Sequence, residues 1–151
     1  MSPKKVRYMN KKVLIVDDEK DIQEILKKYI EKTKGIEVIS AFTGEEGVKI
    51  YKELAEKGEE PDLVIMDLNL STRDNLADID LHMEGKDTKM DGVRTSQEIL
   101  KINPKAVIWG YTAWFDTKWA KKLKEIGARK VVDRMVPFKE FAVMVEKFLQ
   151  K

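Results

Sequence analysis

The stretch Val13–Glu19 reads VLIVDDE, four apolar residues followed at once by three acids. An unbroken apolar run of this length is typical of a strand that is buried on both faces, as strands of parallel sheets are. A second run, LVIM at 63–66, also ends in an acid, Asp67. The two runs together predict a parallel sheet with carboxylates gathered at one edge.

Strand and helix patterns alternate along the rest of the chain. The predicted strands cover residues 13–16, 36–41, 63–66, 106–111 and 131–132, and the predicted helices cover about 22–30, 43–57, 92–102, 115–126 and 138–149. Parallel strands need right-handed crossovers, so five strand–helix units imply a sheet with helices on both faces. The predicted fold is therefore doubly wound α/β.

Length and composition restrict the class of protein. The 151 residues suit one domain, which we assign to residues 12–151 behind a basic leader at residues 1–11. The net charge of +2 gives no argument for a nucleic-acid or membrane partner. The chain has no cysteine and no apolar run of bilayer or signal-peptide length. We expect a cytoplasmic protein with no direct nucleic-acid contact and no membrane insertion.

The acids at the strand ends indicate a metal-dependent site. Asp17, Asp18 and Asp67 should meet at the carboxyl edge of the sheet, where ligands bind in doubly wound folds. Three carboxylates repel one another, and Mg²⁺ removes that conflict while it joins carboxylates to a phosphate. A carboxylate can also act as a nucleophile that forms an acyl phosphate. Taken singly, each acid is equally typical of a helix cap or a turn, and Thr112 of an ordinary strand end.

Four motifs carry a resemblance to a known family. They are VLIVDDE at 13–19, DLVIMDLNL at 62–70, MDG at 90–92 and YTA at 111–113. In this combination the sequence resembles the receiver domains of response regulators in two-component signalling, which include chemotaxis regulators, from about Lys12 to Lys151. The resemblance implies a flavodoxin-like (βα)5 fold with the strands in the order 2-1-3-4-5.

The resemblance also implies a role for each site residue. Asp67 matches the phospho-acceptor, Asp18 a direct Mg²⁺ ligand, and Asp17 a ligand acting partly through water. Asn69 matches the position whose main-chain carbonyl completes the metal site. Thr112 matches the switch hydroxyl that moves toward the phosphoryl group.

The function implied by the resemblance is that of a signalling phospho-acceptor and not of an enzyme. A sensor histidine kinase or phosphotransfer protein would phosphorylate Asp67 with Mg²⁺, and the product would change its binding to a downstream protein target. No second domain follows the last predicted helix, so we expect a stand-alone receiver.

Two other functions stay open. One is a pseudo-receiver, an interaction module that keeps the fold without phosphate control. The other is a haloacid-dehalogenase-type Mg²⁺ phosphatase, suggested by Asp67, Asn69 and Thr112. That family needs an acid where Asn69 stands and begins its chain with the nucleophile strand, so it fits poorly.

The first departure from the family is an insertion at about residues 71–89. Asp91 follows Asp67 by 24 positions, whereas the family spacing is about seven, an excess of roughly 17 residues. The segment holds His82 and several acids, namely Asp74, Asp78, Asp80, Glu84 and Asp87. It could be a lid, a partner-docking loop, a second metal site or a mobile acidic loop, and its spacing does not match an EF-hand.

The second departure is at the lysine that the family places before a proline after the fifth strand. Here Val136 precedes Pro137, so either Lys130 or Arg134 would have to supply the cation from a shifted register, or the site is degenerate. The proline bond is commonly cis in the family, and we expect a cis Val136–Pro137 bond.

The aromatic residues also differ from the family pattern. Val131 stands near the place of the usual switch aromatic on the fifth strand. Trp114 lies two residues after Thr112, where the resemblance implies control of water access. We therefore expect slow hydrolysis of the phospho-form, and a lifetime no longer than that of a free acyl phosphate would contradict this.

Overall fold

A five-stranded parallel sheet with the strand order β2-β1-β3-β4-β5 forms the centre of the structure. The structure is a computed structural model that describes residues 10–68, 91–113 and 115–150. The strands are β1 (Lys11–Val16), β2 (Ile36–Ala41), β3 (Leu63–Met66), β4 (Ile108–Thr112) and β5 (Lys130–Asp133). The helices are α1 (Lys20–Ile30), α2 (Gly44–Glu56), α3 (Gly92–Ile102), α4 (Lys118–Ile126) and α5 (Phe138–Leu149). The predicted doubly wound fold and strand order are confirmed.

The predicted boundaries of β4 and the predicted start of α4 were wrong. Strand β4 starts at Ile108 and includes Thr112, whereas the sequence predicted residues 106–111. Helix α4 starts at Lys118 and not at Phe115. The reason is an N-terminal cap, because the Thr117 hydroxyl accepts a hydrogen bond from the Ala120 amide at 3.4 Å. Ser and Thr side chains commonly mark the start of a helix in this way.

The sheet has a separate apolar core on each face. Val13 and Ile15 of β1 point into the core beneath α1 and α5, and Leu14 and Val16 point into the core beneath α2, α3 and α4. All four residues are completely buried. The unbroken apolar run in the sequence is explained by this arrangement, because alternate residues of a strand face opposite sides of the sheet.

The register of the strands brings the candidate residues to one edge. Val16 of β1 pairs with Met66 of β3, and Met66 pairs with Gly110 of β4. The residues that follow these positions in the chain therefore emerge side by side at the carboxyl ends of three neighbouring strands. This places Asp17, Asp67 and the end of β4 together.

Gln23 ties the start of α1 to the same edge. Its buried side-chain amide nitrogen donates to the carbonyl oxygens of Ile15 at 3.0 Å, Asp17 at 3.1 Å and Ala41 at 2.8 Å. These bonds join the carboxyl ends of β1 and β2, where the Ala41 carbonyl also accepts from the Asp17 amide at 3.0 Å. The carbonyl of Asp17 is thus fixed by a side chain from the following helix.

The insertion leaves and rejoins the fold at adjacent points. The Gly92 amide, at the start of α3, donates to the Leu68 carbonyl at 3.1 Å. Asp91 caps α3, and its carboxylate accepts from the Arg94 amide at 2.8 Å. The Asp-Gly pair therefore lies directly beside Asp67 despite the long separation in sequence. The predicted insertion, with its open interpretations, and the first nine residues of the basic leader lie outside the described residues.

The connection from β5 to α5 differs from the expectation. The Val136–Pro137 peptide bond is trans, so the predicted cis bond was wrong. The Val136 amide donates to the Asp133 carbonyl at 2.9 Å, and the Val136 carbonyl accepts from the Tyr111 hydroxyl. A local turn and a tertiary hydrogen bond thus hold this loop in a conformation rebuilt relative to the family pattern.

None of the helices in the described ranges combines the length and the apolar character that crossing a bilayer requires.

Candidate functional site

Buried acids gather at the carboxyl ends of β1 and β3. Asp17 is 1% exposed and Asp67 is 7% exposed. The carboxylate oxygens of Asp17, Asp18 and Glu19 can all lie within 4.8 Å of one another, and the Glu19 amide donates to Oδ1 of Asp17 at 2.9 Å. Glu19 is therefore an addition to the acids that the sequence singled out.

Thr112 completes the edge from the next strand. It is the last residue of β4 and is fully buried. Its side chain forms a hydrogen bond with the Asp67 carboxylate. The hydroxyl that the sequence placed at this edge thus contacts the carboxylate of the predicted acceptor.

Arg134 brings a positive charge to the acids. Its Nη2 donates to Oδ2 of Asp17 at 3.1 Å and lies 4.0 Å from Oδ1 of Asp67. Its Nε is buried and has no hydrogen-bond acceptor among the described residues. Lys130, the other candidate cation, is exposed and places its ammonium 4.8 Å from the centre of the Trp109 ring. Of the two cations that the sequence left open, Arg134 is the one at the acid cluster.

Burial and mutual repulsion dominate the electrostatics of the acids. Burial raises the pKa of Asp17 to about 6, against the opposing effects of the Glu19 amide and the Arg134 charge. Burial, and after it the charge of Asp17, raises the pKa of Asp67 to about 8, although Arg134 and the Thr112 hydrogen bond act in the other direction. One guanidinium therefore does not neutralise this cluster.

This set of donors fits a hard divalent cation. Mg²⁺ takes oxygen ligands and is usually held by one or two carboxylates with several waters. Asp17, Asp18 and Glu19 supply carboxylate oxygens at a suitable mutual distance. Asp67 is their buried neighbour, and Arg134 and the Thr112 hydrogen bond only partly offset the cost of its charge. Asn69, whose main-chain carbonyl is the fourth predicted ligand, lies outside the described residues.

The raised pKa values predict how the stability of the metal-free protein depends on pH. The folded protein holds protons on Asp17 and Asp67 at pH values where the unfolded chain, with carboxyl pKa values of roughly 4, has lost them. Stability falls with rising pH wherever the folded state binds more protons. The unfolding free energy contributed by these groups should therefore fall from about pH 4 to about pH 8.

The Asp67→Asn variant isolates this effect. Because the amide does not ionise, the variant should gain stability relative to the parent across that window and exceed it by more than about 1 kcal/mol at about pH 8. The measurement is urea unfolding of both proteins in a chelating buffer at several pH values. An advantage of the variant that shrinks as the pH rises would contradict the prediction.

Comparison with known proteins identifies a family that matches the part of the chain containing these acids. The sequence model of the response regulator receiver domain family matches residues 13–79, which include Asp17, Asp18 and Asp67. The chain belongs to the response regulator receiver family. Receivers are signalling modules, and the resemblance drawn from the sequence is confirmed at the level of the family.

Individual relatives and solved structures are similar to this chain over most of its length. A probable C4-dicarboxylate response regulator, DctR of Bacillus subtilis (strain 168), is 29% identical over 92% of this chain and 52% of its own length. The chain thus spans about half the length of that relative. A receiver domain protein (CheY-like) from Methanospirillum hungatei JF-1 shares the fold, with a TM-score of 0.71, 21% identity and coverage of 93% of this chain and 94% of its own. The CheX–CheY–BeF3–Mg²⁺ complex from Borrelia burgdorferi gives a TM-score of 0.69 at 22% identity and covers 93% and 90%.

The receiver has one contact at the site that sequence reasoning missed. Arg134 donates from Nη2 to the Tyr111 carbonyl at 2.6 Å, and its guanidinium carbon lies 4.6 Å from the centre of the Tyr111 ring. The sequence signal that could have found this contact is the group of aromatic residues around Thr112, namely Trp109, Tyr111, Trp114 and Phe115. The Trp114 side chain lies outside the described residues, so slow hydrolysis of a phospho-form stays a prediction.

Proposed function

We propose that this receiver is phosphorylated on Asp67 in a reaction that depends on Mg²⁺, and that it signals by changing its binding to another protein. One observation carries the proposal. The Thr112 side chain, the Arg134 guanidinium and the neighbouring acids all lie around the buried carboxylate of Asp67. That convergence supplies a nucleophile, a hydroxyl and charge compensation within one site.

The chemistry follows from these groups. An oxygen of the Asp67 carboxylate attacks phosphorus, the bond from phosphorus to the donor breaks, and an acyl phosphate forms while the donor leaves with the bonding electrons. Mg²⁺, held by Asp17 and Asp18, would supply charge neutralisation for the transferring phosphoryl group. The Mg²⁺ in the Borrelia burgdorferi CheY complex supports this assignment.

Arg134 is assigned the electrostatic role of the family's lysine. It faces Asp67 from the loop after β5, at 4.0 Å, and its buried Nε has a donor to spare. A guanidinium presents several donors to phosphoryl oxygens in a fixed planar arrangement. Although Val136 stands where the family has its lysine, Arg134 therefore supplies a cation to the site.

The donor would be a sensor histidine kinase or a phosphotransfer protein, and the receptor of the signal a downstream protein. An added charge of about −1.5 to −2 beside Thr112 and Arg134 is enough to favour a second packing of the loops around them. The absence of direct nucleic-acid contact, the cytoplasmic location and action without an attached output domain stay predictions from the sequence.

Intact-mass spectrometry tests the proposal. The full chain is incubated with Mg²⁺ and a small acyl phosphate donor, and an adduct of ~80 Da is expected. The same incubation with a chelator should give less than about a tenth of the adduct, because the buried carboxylates then repel the incoming phosphoryl group. A parent protein that gains no mass under either condition would overturn the proposal and favour the pseudo-receiver, whose fold is kept without phosphate control.

A further inference from the structure

Arg134 reaches the acid cluster from a loop, and a long side chain on a loop needs partners to hold its charged end in one place. Fixing the torsions of an arginine side chain costs conformational entropy, which these partners must offset. Asp17 supplies one hydrogen bond to the guanidinium. Asp67 lies 4.0 Å away as an ion-pair partner. Tyr111 adds two closer-fitting contacts, since its carbonyl accepts from Nη2 at 2.6 Å and its ring centre lies 4.6 Å from the guanidinium carbon.

Tyr111 is itself firmly held. Its ring is fully buried and stacks on Phe141 of α5, with 3.8 Å between centres and 7° between planes. The ring of Phe138 meets it edge-on at 6.0 Å, and the hydroxyl donates to the Val136 carbonyl. A ring fixed from three sides offers a rigid face, and a cation near an aromatic face is attracted by the ring quadrupole, more strongly where water is excluded.

The position of Tyr111 in the chain makes the contact specific to the site. Thr112, the next residue, points to the opposite side of β4 and contacts Asp67. Two consecutive residues of one strand therefore act on the Asp67 carboxylate. Thr112 contacts it directly through its hydroxyl, and Tyr111 contacts the Arg134 guanidinium that lies beside it. Arg134 is also backbone-bonded to this strand end, since its amide donates to the Thr112 carbonyl at 2.9 Å.

We propose that Tyr111 is a positioning residue for Arg134: its ring face and carbonyl hold the guanidinium between Asp17 and Asp67, where the charge meets a phosphoryl group formed on Asp67. This inference rests on the proposed phosphorylation for its kinetic consequence. The placement of the guanidinium by Tyr111 is independent of it and is measurable in the protein without phosphodonor.

The spectroscopic test follows the side-chain N–H of Arg134 by NMR. Its Nε is buried, so we expect a slowly exchanging signal displaced by the nearby ring and absent in Arg134→Lys. Tyr111→Phe keeps the ring and should keep the displaced signal. Tyr111→Leu keeps the carbonyl but removes the ring, and the signal should move to the range of exposed arginines. A signal that stays in place in Tyr111→Leu would overturn the inference.

The kinetic test is the phosphorylation rate of Asp67 with Mg²⁺ and the small donor. Loss of the ring should slow phosphorylation about tenfold, and Tyr111→Phe should stay within about twofold of the parent. In an Arg134→Met background the Tyr111→Leu change should cost less than about twofold, because there is no guanidinium left to position. An equal loss in both backgrounds would show that Tyr111 acts only on packing.

The two tests separate the two proposals. A parent that gains no phosphate but shows the expected movement of the Arg134 signal in Tyr111→Leu would overturn the proposed function and leave the positioning role intact. A parent that is phosphorylated at a rate independent of Arg134, and whose Arg134 signal does not move in Tyr111→Leu, would overturn the positioning role and leave the proposed function intact.

Discussion

Replacing Asp67 with asparagine is expected to abolish the ~80 Da adduct that the parent forms with Mg²⁺ and a small phosphodonor. An amide oxygen has no negative charge and is a much weaker nucleophile than a carboxylate, and Asp67 is the acid whose carboxylate makes a hydrogen bond with the Thr112 side chain. The expected loss is therefore essentially complete. The measurement is intact mass after matched incubations of parent and variant.

Asp62→Asn is the matched control for this experiment. Asp62 precedes the same strand, β3, but lies at its other end, where its carboxylate accepts from the Lys12 amide at 2.9 Å. The control should form as much adduct as the parent, since Asp62 is a strand length away from Thr112 and Arg134. Retention of the adduct in Asp67→Asn would mean that another residue is modified, and peptide mapping would identify it.

Replacing Gly92 with alanine is expected to destabilise the fold by about 2 to 3 kcal/mol. A Cβ atom at Gly92 would overlap the Asp67 carbonyl oxygen and would stand 2.8 Å from the Leu68 Cα. These are backbone atoms beside the phosphorylation site, so a side-chain rotation does not relieve the overlap. The Gly92–Leu68 hydrogen bond would lengthen, and Asp67 would shift relative to Thr112 and Arg134.

Urea unfolding measures this loss, and Gly58→Ala is the control. Gly58 has φ of +73° with no atom within 4 Å of an added Cβ, so alanine there costs only the left-handed backbone conformation, about 1 kcal/mol. Gly92→Ala should cost more than the control and should also lower the yield of adduct. A Gly92 variant as stable as the parent would show that α3 and Leu68 can separate freely.

Local patterns were sufficient for much of the fold. Apolar residues that alternate between the two faces of a buried strand leave an unbroken run, as in 13–16 and 63–66, and these runs gave two strands close to their observed bounds. Helix boundaries were less predictable where a cap decides them, as Thr117 does for α4. The Thr117 hydroxyl accepts a hydrogen bond from an amide of the first turn and so fixes where the helix begins. The periodicity of apolar residues carries no information about such a cap.

The sequence by itself determined the doubly wound sheet and the group of acids at its carboxyl edge, because parallel strands with acids at their ends bring those acids together in this fold. Only the tertiary structure decided which cation meets them. Lys130 and Arg134 are four residues apart, about 13 Å along an extended strand, so one lies at the start of β5 and the other beyond its end. Of these two cations, Arg134, held on Tyr111, is the one that reaches Asp17 and Asp67. The trans bond before Pro137 was likewise beyond the sequence. So was the burial that is the largest cause of the raised pKa of Asp67, because it depends on packing between residues far apart in the chain, whereas the repulsion among the acids was predicted.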